Sequence, residues 1–426
     1  MGGGELTAFI ALFGMVLASE AATTITVDSV VQRWPWNNKV DISYTIEGGQ
    51  ELATSNFCKI VFSTVIEGNS YTIDGSSVGA SASAGTHKVT WTLPSGLKSA
   101  NCTMTAAVYP ADVPSGNDYM IIDLDTGAIS YEGLFATQDE SNSRYNTALY
   151  KTSKLALRKV PAGTYTTGDD DHFPSTLTGQ EQYDRNSSKS WATDRDYYIG
   201  VFPVTQRQYS NVCGANPSSK KAAISGNIAD HRPVETVSWF RLRVSATDDQ
   251  VYYAPTSPVP AVTSNTGTFL QRLNFKTGKY FDLPTELMWE IAARANTTTY
   301  YYWGNTTNSI LDYVSCSENN GGGTSTMEVG TRIPNGWGLY DLLGNVYQIC
   351  LDDRTSDNLT ARTSVFKPAC VSSAAATGSD VRRLRNGLCY NIGIGNGRGG
   401  YSSYRGQIKL GTGTSTAGFR LSYVAE

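Results

Sequence analysis

From Gly304 to its end, the chain runs through long stretches of Gly, Asn, Ser and Thr, with aromatic residues set among them and few periodic segments. Such loops cannot leave buried backbone groups unpaired. They need side-chain hydrogen bonds, buried aromatics or a bound ion to fix them. A helical bundle or coiled coil is therefore excluded for this part. Composition agrees: of 426 residues, 17% are charged and 40% apolar, with 41 Gly and 25 Tyr. The charged share lies below the roughly 25% usual for soluble domains. The length predicts two or three domains. Lys and Arg number 34 against 38 Asp and Glu, a net charge of −4, so nucleic acid is excluded as a bulk electrostatic partner. Three histidines, His87, His172 and His231, argue against a multi-histidine metal centre.

Leu6 to Leu17 is a short apolar run followed by the small residues around Ala18, Ala21 and Ala22. It is too short to span a bilayer comfortably, and it reads as a leader peptide occupying residues 1–22. The preceding Met1-Gly-Gly-Gly-Glu5 lacks the usual basic residue, and a buried element of the first domain is the alternative. The expected location is secreted or cell surface, with no stable membrane span after cleavage. Seven cysteines suit an exported chain with one or two disulfides. Cys58 and Cys102 both lie in segments that read as strands, and they are the first expected pair. Cys350 and Cys370 are candidates for a second.

Residues 23–148 read as an all-β sandwich of immunoglobulin type. Val40-Asp-Ile-Ser-Tyr-Thr-Ile46 alternates apolar and polar, and further strand signals follow at Lys59–Ile66, Thr86–Leu93 and Asp123–Tyr131. Residues 149–426 read as a mixed domain. Short helices are expected over Thr205–Val212, Pro233–Val244, 264–278 and Glu286–Ala295. In Leu283-Pro-Thr-Glu286, Thr285 can cap the last of these, with Glu286 in its first turn. The predicted fold class is α+β, an all-β sandwich followed by a loop-rich domain.

Several segments of the second domain occur in a specific order. They are Tyr198-Ile-Gly-Val-Phe-Pro-Val-Thr-Gln-Arg-Gln-Tyr209, Arg232-Pro-Val-Glu-Thr-Val-Ser-Trp239, and Phe281-Asp-Leu-Pro-Thr-Glu-Leu-Met-Trp-Glu-Ile-Ala-Ala-Arg294. Tyr302-Trp-Gly-Asn305, Asn335-Gly-Trp-Gly-Leu-Tyr-Asp-Leu-Leu-Gly-Asn-Val-Tyr-Gln348, Arg385-Asn-Gly387 and Gly418-Phe-Arg420 follow. Together they resemble the formylglycine-generating enzyme family, also called the sulfatase-modifying factor domain, over roughly residues 151–424. The resemblance implies an irregular fold related to C-type lectins.

It also implies a chemistry. Family enzymes oxidise a sulfatase cysteine to formylglycine with oxygen and copper held by two cysteines. Laid on this sequence, those positions fall at Asn391 and Asn396, with Cys389 two residues early. Copper(I) favours thiolates, so copper and the oxidase activity are not expected. A family calcium motif reads Gly344-Asn345-Val346-Tyr347-Gln348, where Gln348 replaces a carboxylate. Asn345, Val346 and Gln348 are weak calcium candidates. Asn308, Asp312 and Asn319 stand near a second family site, and Asp169-Asp170-Asp171 reads as a solvated acidic loop, with an ion-holding loop as the alternative. Gly336, Gly338 and Gly344 allow tight turns around Asn335, Tyr340 and Asn345, as a hydrogen-bonded knot or an ion-stabilised one. Glu286 and Glu290 read as structural, and Arg420 as a buried structural arginine.

The stretch Tyr390–Arg405 has the Tyr, Gly, Ser, Asn and Arg composition of recognition loops. In the family it forms the active-site face, and some relatives without the cysteines bind other molecules there. Tyr390, Arg398, Tyr401, Tyr404 and Arg405 are the candidate ligand contacts, with packing of a Tyr-rich loop as the alternative. The expected function is binding of a peptide, glycan or surface protein by an exported, non-oxidising member. A structural or self-assembling surface protein is the second reading, for which an oligomer is allowed, and an active oxidase the third. No Gly-x-Ser-x-Gly or His-Glu-x-x-His supports a hydrolase.

Overall fold

The structure is a computed structural model. It describes residues 24–33, 38–47, 58–66, 69–78, 80, 85–94, 97, 104–110, 114–135, 142, 144–169, 188–222, 226–245, 258–353, 364–368, 381–386, 388–393 and 401–425. The expected leader, Cys102, Cys370, Asn396, Arg398 and the acidic pair Asp170-Asp171 lie outside these residues. The Cys58–Cys102 pairing therefore does too. Among the described residues no helix is long and apolar enough to cross a membrane.

The chain divides into Met1–Pro114 and Ser115–Glu426. In the first unit, β1 (Thr24–Gln32), β2 (Lys39–Glu47), β3 (Cys58–Ile66), β4 (Asn69–Asp74), β5 (Gly85–Thr92) and β6 (Met104–Pro110) form two antiparallel sheets. Their orders are β1-β2-β5 and β4-β3-β6. The alternation read in β2 is realised: Val40, Ile42, Tyr44 and Ile46 are buried on one side. They meet Ile60, Phe62, Met104 and Ala106 of the other sheet in a single core. Tyr44 and Phe62 join the sheets edge to face, with ring centroids 5.3 Å apart. Each such side chain stabilises the sandwich by about 1.5–3 kcal/mol on burial.

The second unit starts earlier than the expected boundary at 148. β7 (Tyr119–Asp123) and β8 (Ile129–Glu132) precede α1 (Ala148–Thr152) and β9 (Lys154–Val160). β7 pairs along β9 from Tyr119↔Arg158 to Asp123↔Lys154. The strand signal around residue 123 is genuine, but its partner lies thirty residues on, which moves the break to residue 114. Then come β10 (Gly163–Thr167), β11 (Lys189–Thr193), β12 (Tyr197–Gly200), α2 (Gln206–Cys213), α3 (Trp239–Arg243), α4 (Phe269–Thr277), α5 (Glu286–Arg294) and α6 (Ile310–Tyr313). β13 (Tyr347–Asp353), β14 (Val381–Arg385), β15 (Gly406–Lys409), β16 (Ala417–Gly418) and β17 (Ser422–Val424) complete it. The central sheet is ordered β17-β12-β9-β7-β8, and a second is ordered β15-β14-β13-β16.

The central sheet is buried on both faces. Tyr119, Ile121, Ala156, Tyr197 and Ile199 enter one core with α5. Met120, Ile122, Leu155, Leu157 and Tyr198 enter the other with α2, α3 and α4. This period-two division explains why β7 and β9 lack polar alternation. The helices fall where expected. Thr205, Thr268 and Thr285 each accept from a backbone N–H of the first turn, and the first two complete capping boxes. Residues expected to be helical from Pro233 are helical only from Trp239, after the Ser238 cap. The protein is thus α+β, with a sandwich ahead of a loop-rich domain.

Candidate functional site

Helix α5 carries Glu286, Glu290 and Arg294 four residues apart, on one face and fully buried. Glu286 accepts two bonds from Arg405, from Nε and Nη2, each 2.6 Å long. Glu290 accepts from Arg385 at 2.5 Å, Arg294 at 2.8 Å and the Gly168 N–H at 2.7 Å. Arg294 reaches Asp169 at 2.9 Å, and Ser403 donates to the other oxygen of Asp169. Burial opposes ionisation of Glu290, but Arg385, Arg294 and the Gly168 N–H outweigh it and hold the carboxyl below its ordinary range. Arg385 also donates to the Tyr404 carbonyl at 3.1 Å. Arg405, at the C-terminal end of the Tyr390–Arg405 loop, and Arg385, ahead of its start, are therefore tied to one helix by charge-assisted bonds. The structural reading of Glu286 and Glu290 holds.

The loop's candidate contacts separate into three groups. Tyr401 and Tyr404 are half-buried at the surface. Arg405 has no exposed surface and Tyr390 is 2% exposed, which corrects the expectation that they meet a ligand. The guanidinium of Arg405 is committed to Glu286. The Tyr390 hydroxyl lies 3.1 Å from that of Ser415, and its carbonyl accepts from Asn320 at 2.5 Å. Arg398 lies outside the described residues.

At the aligned cysteine position, Asn391 is exposed, and its Oδ1 accepts a bond of 3.0 Å from the buried Cys389 thiol. The next segment is fastened to Ser317, whose N–H donates to the Ile392 carbonyl at 3.4 Å. Copper(I) does not fit this donor set. Asn391 supplies an amide, and Cys389 uses its proton to donate to that amide. Burial and the Glu318 side chain push the Cys316 thiol up to about 12, against a thiolate there. Cys350 is buried with its sulfur 3.8 Å from the Gln348 carbonyl, and its expected disulfide partner Cys370 lies outside the described residues.

The calcium candidates are all inside the fold. Gln348 Oε1 accepts from Trp289 Nε1 at 2.7 Å and Arg420 Nε at 3.0 Å, while its amide nitrogen donates to the Asp341 carbonyl at 2.7 Å. Asn345 Oδ1 accepts from the Met327 N–H at 3.0 Å, and the Val346 carbonyl accepts from Asn386 at 2.7 Å. Every oxygen of the set already holds a protein donor, so the three residues do not fit a calcium ion as arranged. The turns form a hydrogen-bonded knot. Asp341, Asn345 and Asn386 take positive φ of 51°, 64° and 81°, which Asp and Asn tolerate. Gly344 is required there by space as well, since a Cβ would sit 2.5 Å from the Ser315 nitrogen. Burial pushes the Asp341 carboxyl above its usual range, against the Gly330 N–H and the Asn345 side chain that favour its charge. Arg420 gathers the carbonyls of Gly200, Val201 and Tyr340, the buried structural role expected for it. Near the second family site, Asn319 bonds Cys316, Leu311 and Val314 backbone groups.

One feature has only a compositional signal in the sequence, the run Tyr300-Tyr-Tyr-Trp303. Tyr401 stacks on Tyr301 at 5.4 Å, Tyr301 on Trp303 at 4.6 Å, and Trp303 on Tyr313 at 4.5 Å, all within 14° of parallel. Tyr300 meets Tyr401 edge-on, and Tyr302 does the same to Trp303 and Tyr313. The Ser402 N–H donates to the Tyr300 carbonyl at 2.9 Å, fixing the recognition loop to this row.

Residues 150–423 match the sulfatase-modifying factor enzyme 1-like domain. The chain belongs to this family. Among curated proteins it is similar to the chaperone protein LppX of Paenibacillus barcinonensis, 30% identical over 196 residues. That match covers 38% of this chain and spans 66% of the relative's length, just under two thirds. Among solved structures it is similar to Treponema denticola variable protein 1, with 23% identity and a TM-score of 0.48 over 64% of this chain and 96% of that one. PvdO from Pseudomonas aeruginosa gives 18% identity and a TM-score of 0.47 over 63% and 94%. This member of the sulfatase-modifying factor family thus carries the family's domain after a β-sandwich in the sequence, and its own buried ion pairs lie in that domain.

Proposed function

We propose that the protein is an exported, non-oxidising member of the sulfatase-modifying factor family that binds a peptide, glycan or surface component. The binding face is the one bearing Tyr401 and Tyr404. The observation that carries this reading is the Cys389–Asn391 hydrogen bond. Asn391, at the aligned position of one copper-binding cysteine, offers an amide that accepts from the Cys389 thiol at 3.0 Å, and copper(I) favours thiolates over amides. The rigid support beneath the face also favours binding. Arg385 bonds Glu290 and the Tyr404 carbonyl, Arg405 bonds Glu286, and Ser403 bonds Asp169, so the half-buried Tyr401 and Tyr404 are presented with little conformational freedom to lose. The leader-like run at Leu6–Leu17 supports export.

The test is an aerobic assay of copper-loaded protein on a peptide carrying the sulfatase Cys-x-Pro-x-Arg motif, with mass spectrometry of the cysteine. The expected result is an unchanged peptide and no copper held after dialysis. Formylglycine in the product would overturn the reading.

A further inference from the structure

We infer that the Gln348 side-chain amide takes the place of a cation in the knot around Asp341 and Asn345, so that this domain holds those turns without calcium. The family resemblance implies an ion here, and the donor set disagrees. Gln348 has no exposed surface. Its Oε1 accepts from Trp289 Nε1 at 2.7 Å and from Arg420 Nε at 3.0 Å, which uses both lone pairs of an amide oxygen. Arg420 brings a positive charge to that oxygen. Its Nη1 and Nη2 donate to the carbonyls of Gly200, Val201 and Tyr340. A guanidinium thus already gathers acceptors from three backbone positions. A divalent ion beside the neutral Gln348 would meet that guanidinium with no negative charge between them.

What the amide adds is its NH2 group. Gln348 Nε2 donates to the Asp341 carbonyl at 2.7 Å. A carboxylate at this position would still accept from Trp289 and Arg420. Its second oxygen, however, would face the Asp341 carbonyl with no donor between them. Two further amides follow the same pattern. Asn345 donates to the Met327 carbonyl at 3.0 Å and to Asp341 Oδ1 at 3.2 Å, and it accepts from the Met327 N–H at 3.0 Å. Asn386 donates to the Gly344 and Val346 carbonyls at 2.5 and 2.7 Å, and it accepts from the Gly344 and Leu388 N–H groups at 2.7 and 3.2 Å. Each amide both gives and takes, so protein donors satisfy the acceptors of the turn. The knot in turn seats the recognition stretch, because the Tyr390 N–H donates to the Asn345 carbonyl at 2.9 Å.

The test is thermal melting of the full chain in EDTA and in millimolar calcium. The wild type should melt at the same temperature in both. Gln348→Glu should melt about 3 °C or more below the wild type in EDTA, through the acceptor pair it leaves at the Asp341 carbonyl, and calcium should raise it. Gln348→Met removes the bond without adding charge. It should melt lower by a similar amount and stay indifferent to calcium, and it carries the test should the charged variant fail to fold. A wild type that melts lower in EDTA overturns the inference. Either variant melting like the wild type in EDTA does so too, as does a Gln348→Glu protein that calcium leaves unchanged. None of these outcomes touches the binding reading, which the copper assay tests separately.

Discussion

The two units of this chain solve the same problem in opposite ways. In the sandwich, the charges stay at the surface: Asp41 meets Arg33 at 2.9 Å and Lys88 at 3.1 Å, and both cations are substantially exposed. Its core is built from apolar residues. In the second unit, Asp169, Glu286, Glu290, Arg294, Arg385 and Arg405 are all buried. The difference follows from backbone hydrogen bonding. Paired strands satisfy their own N–H and C=O groups, so apolar side chains suffice between sheets. Loops have no ladder, and side-chain donors and acceptors must enter the interior to hold them. Such a network is costly to desolvate, and its stabilising value depends on every member being matched.

That contrast can be broken most directly at Glu290. Glu290→Ala leaves Arg385 and Arg294 buried without their shared carboxylate, and the second unit should lose about 3–5 kcal/mol. Urea unfolding followed by hydrogen exchange would show whether the loss is confined to residues after 115. A loss below about 1 kcal/mol would mean the network behaves like surface charge.

Acid should also weaken the second unit through Glu328. Burial opposes ionisation of Glu328, but bonds of 3.0 Å from His231 and Lys151 pull its carboxyl down to about 2. A depressed carboxylate contributes stability above its unfolded value, 4.5 here, and loses it as pH falls toward 2. The second unit should therefore weaken over that window, and Glu328→Gln should flatten its dependence in pH-resolved melting curves.

Smaller effects sharpen the comparison. Thr285→Ala removes the α5 cap and its 2.6 Å bond to the Val365 carbonyl, for a loss of about 1 kcal/mol or somewhat more in denaturant titration. Asp41→Ala in the sandwich should cost less than about 1 kcal/mol despite its two cations, because both are solvated. Chelation should do least. With the Asn345, Val346 and Gln348 oxygens already bonded, EDTA should leave the melting temperature unchanged, and a drop would reveal an ion holding the knot.

Much of this is legible in the sequence. The sandwich strands follow from period-two alternation. Helix α5 follows from Thr285 and the apolar run behind it, because both signals are local. The buried role of Arg420 also held. What stayed hidden was contact across long sequence separations. Asp169 read as part of a solvated acidic loop, yet its partners are Arg294 and Ser403. Arg405 and Tyr390 read as ligand contacts, because the same Tyr, Arg and Ser composition serves a recognition surface and a buried hydrogen-bond network. Composition does not say which way a side chain points. The strand signal near Asp123 was seen but placed in the wrong unit, since pairing with β9 has no local signature.

The clamps at Arg385 and at Ser403–Arg405 have an evolutionary consequence. They lie at the two margins of the recognition stretch, and their ion-pair and hydrogen-bond partners, Glu290, Asp169 and Glu286, all lie outside it. Substitutions at the half-buried Tyr401 and Tyr404 side chains leave those ion pairs untouched, whereas Cys389 and Tyr390, buried between the same margins, cannot change without disturbing the domain's interior.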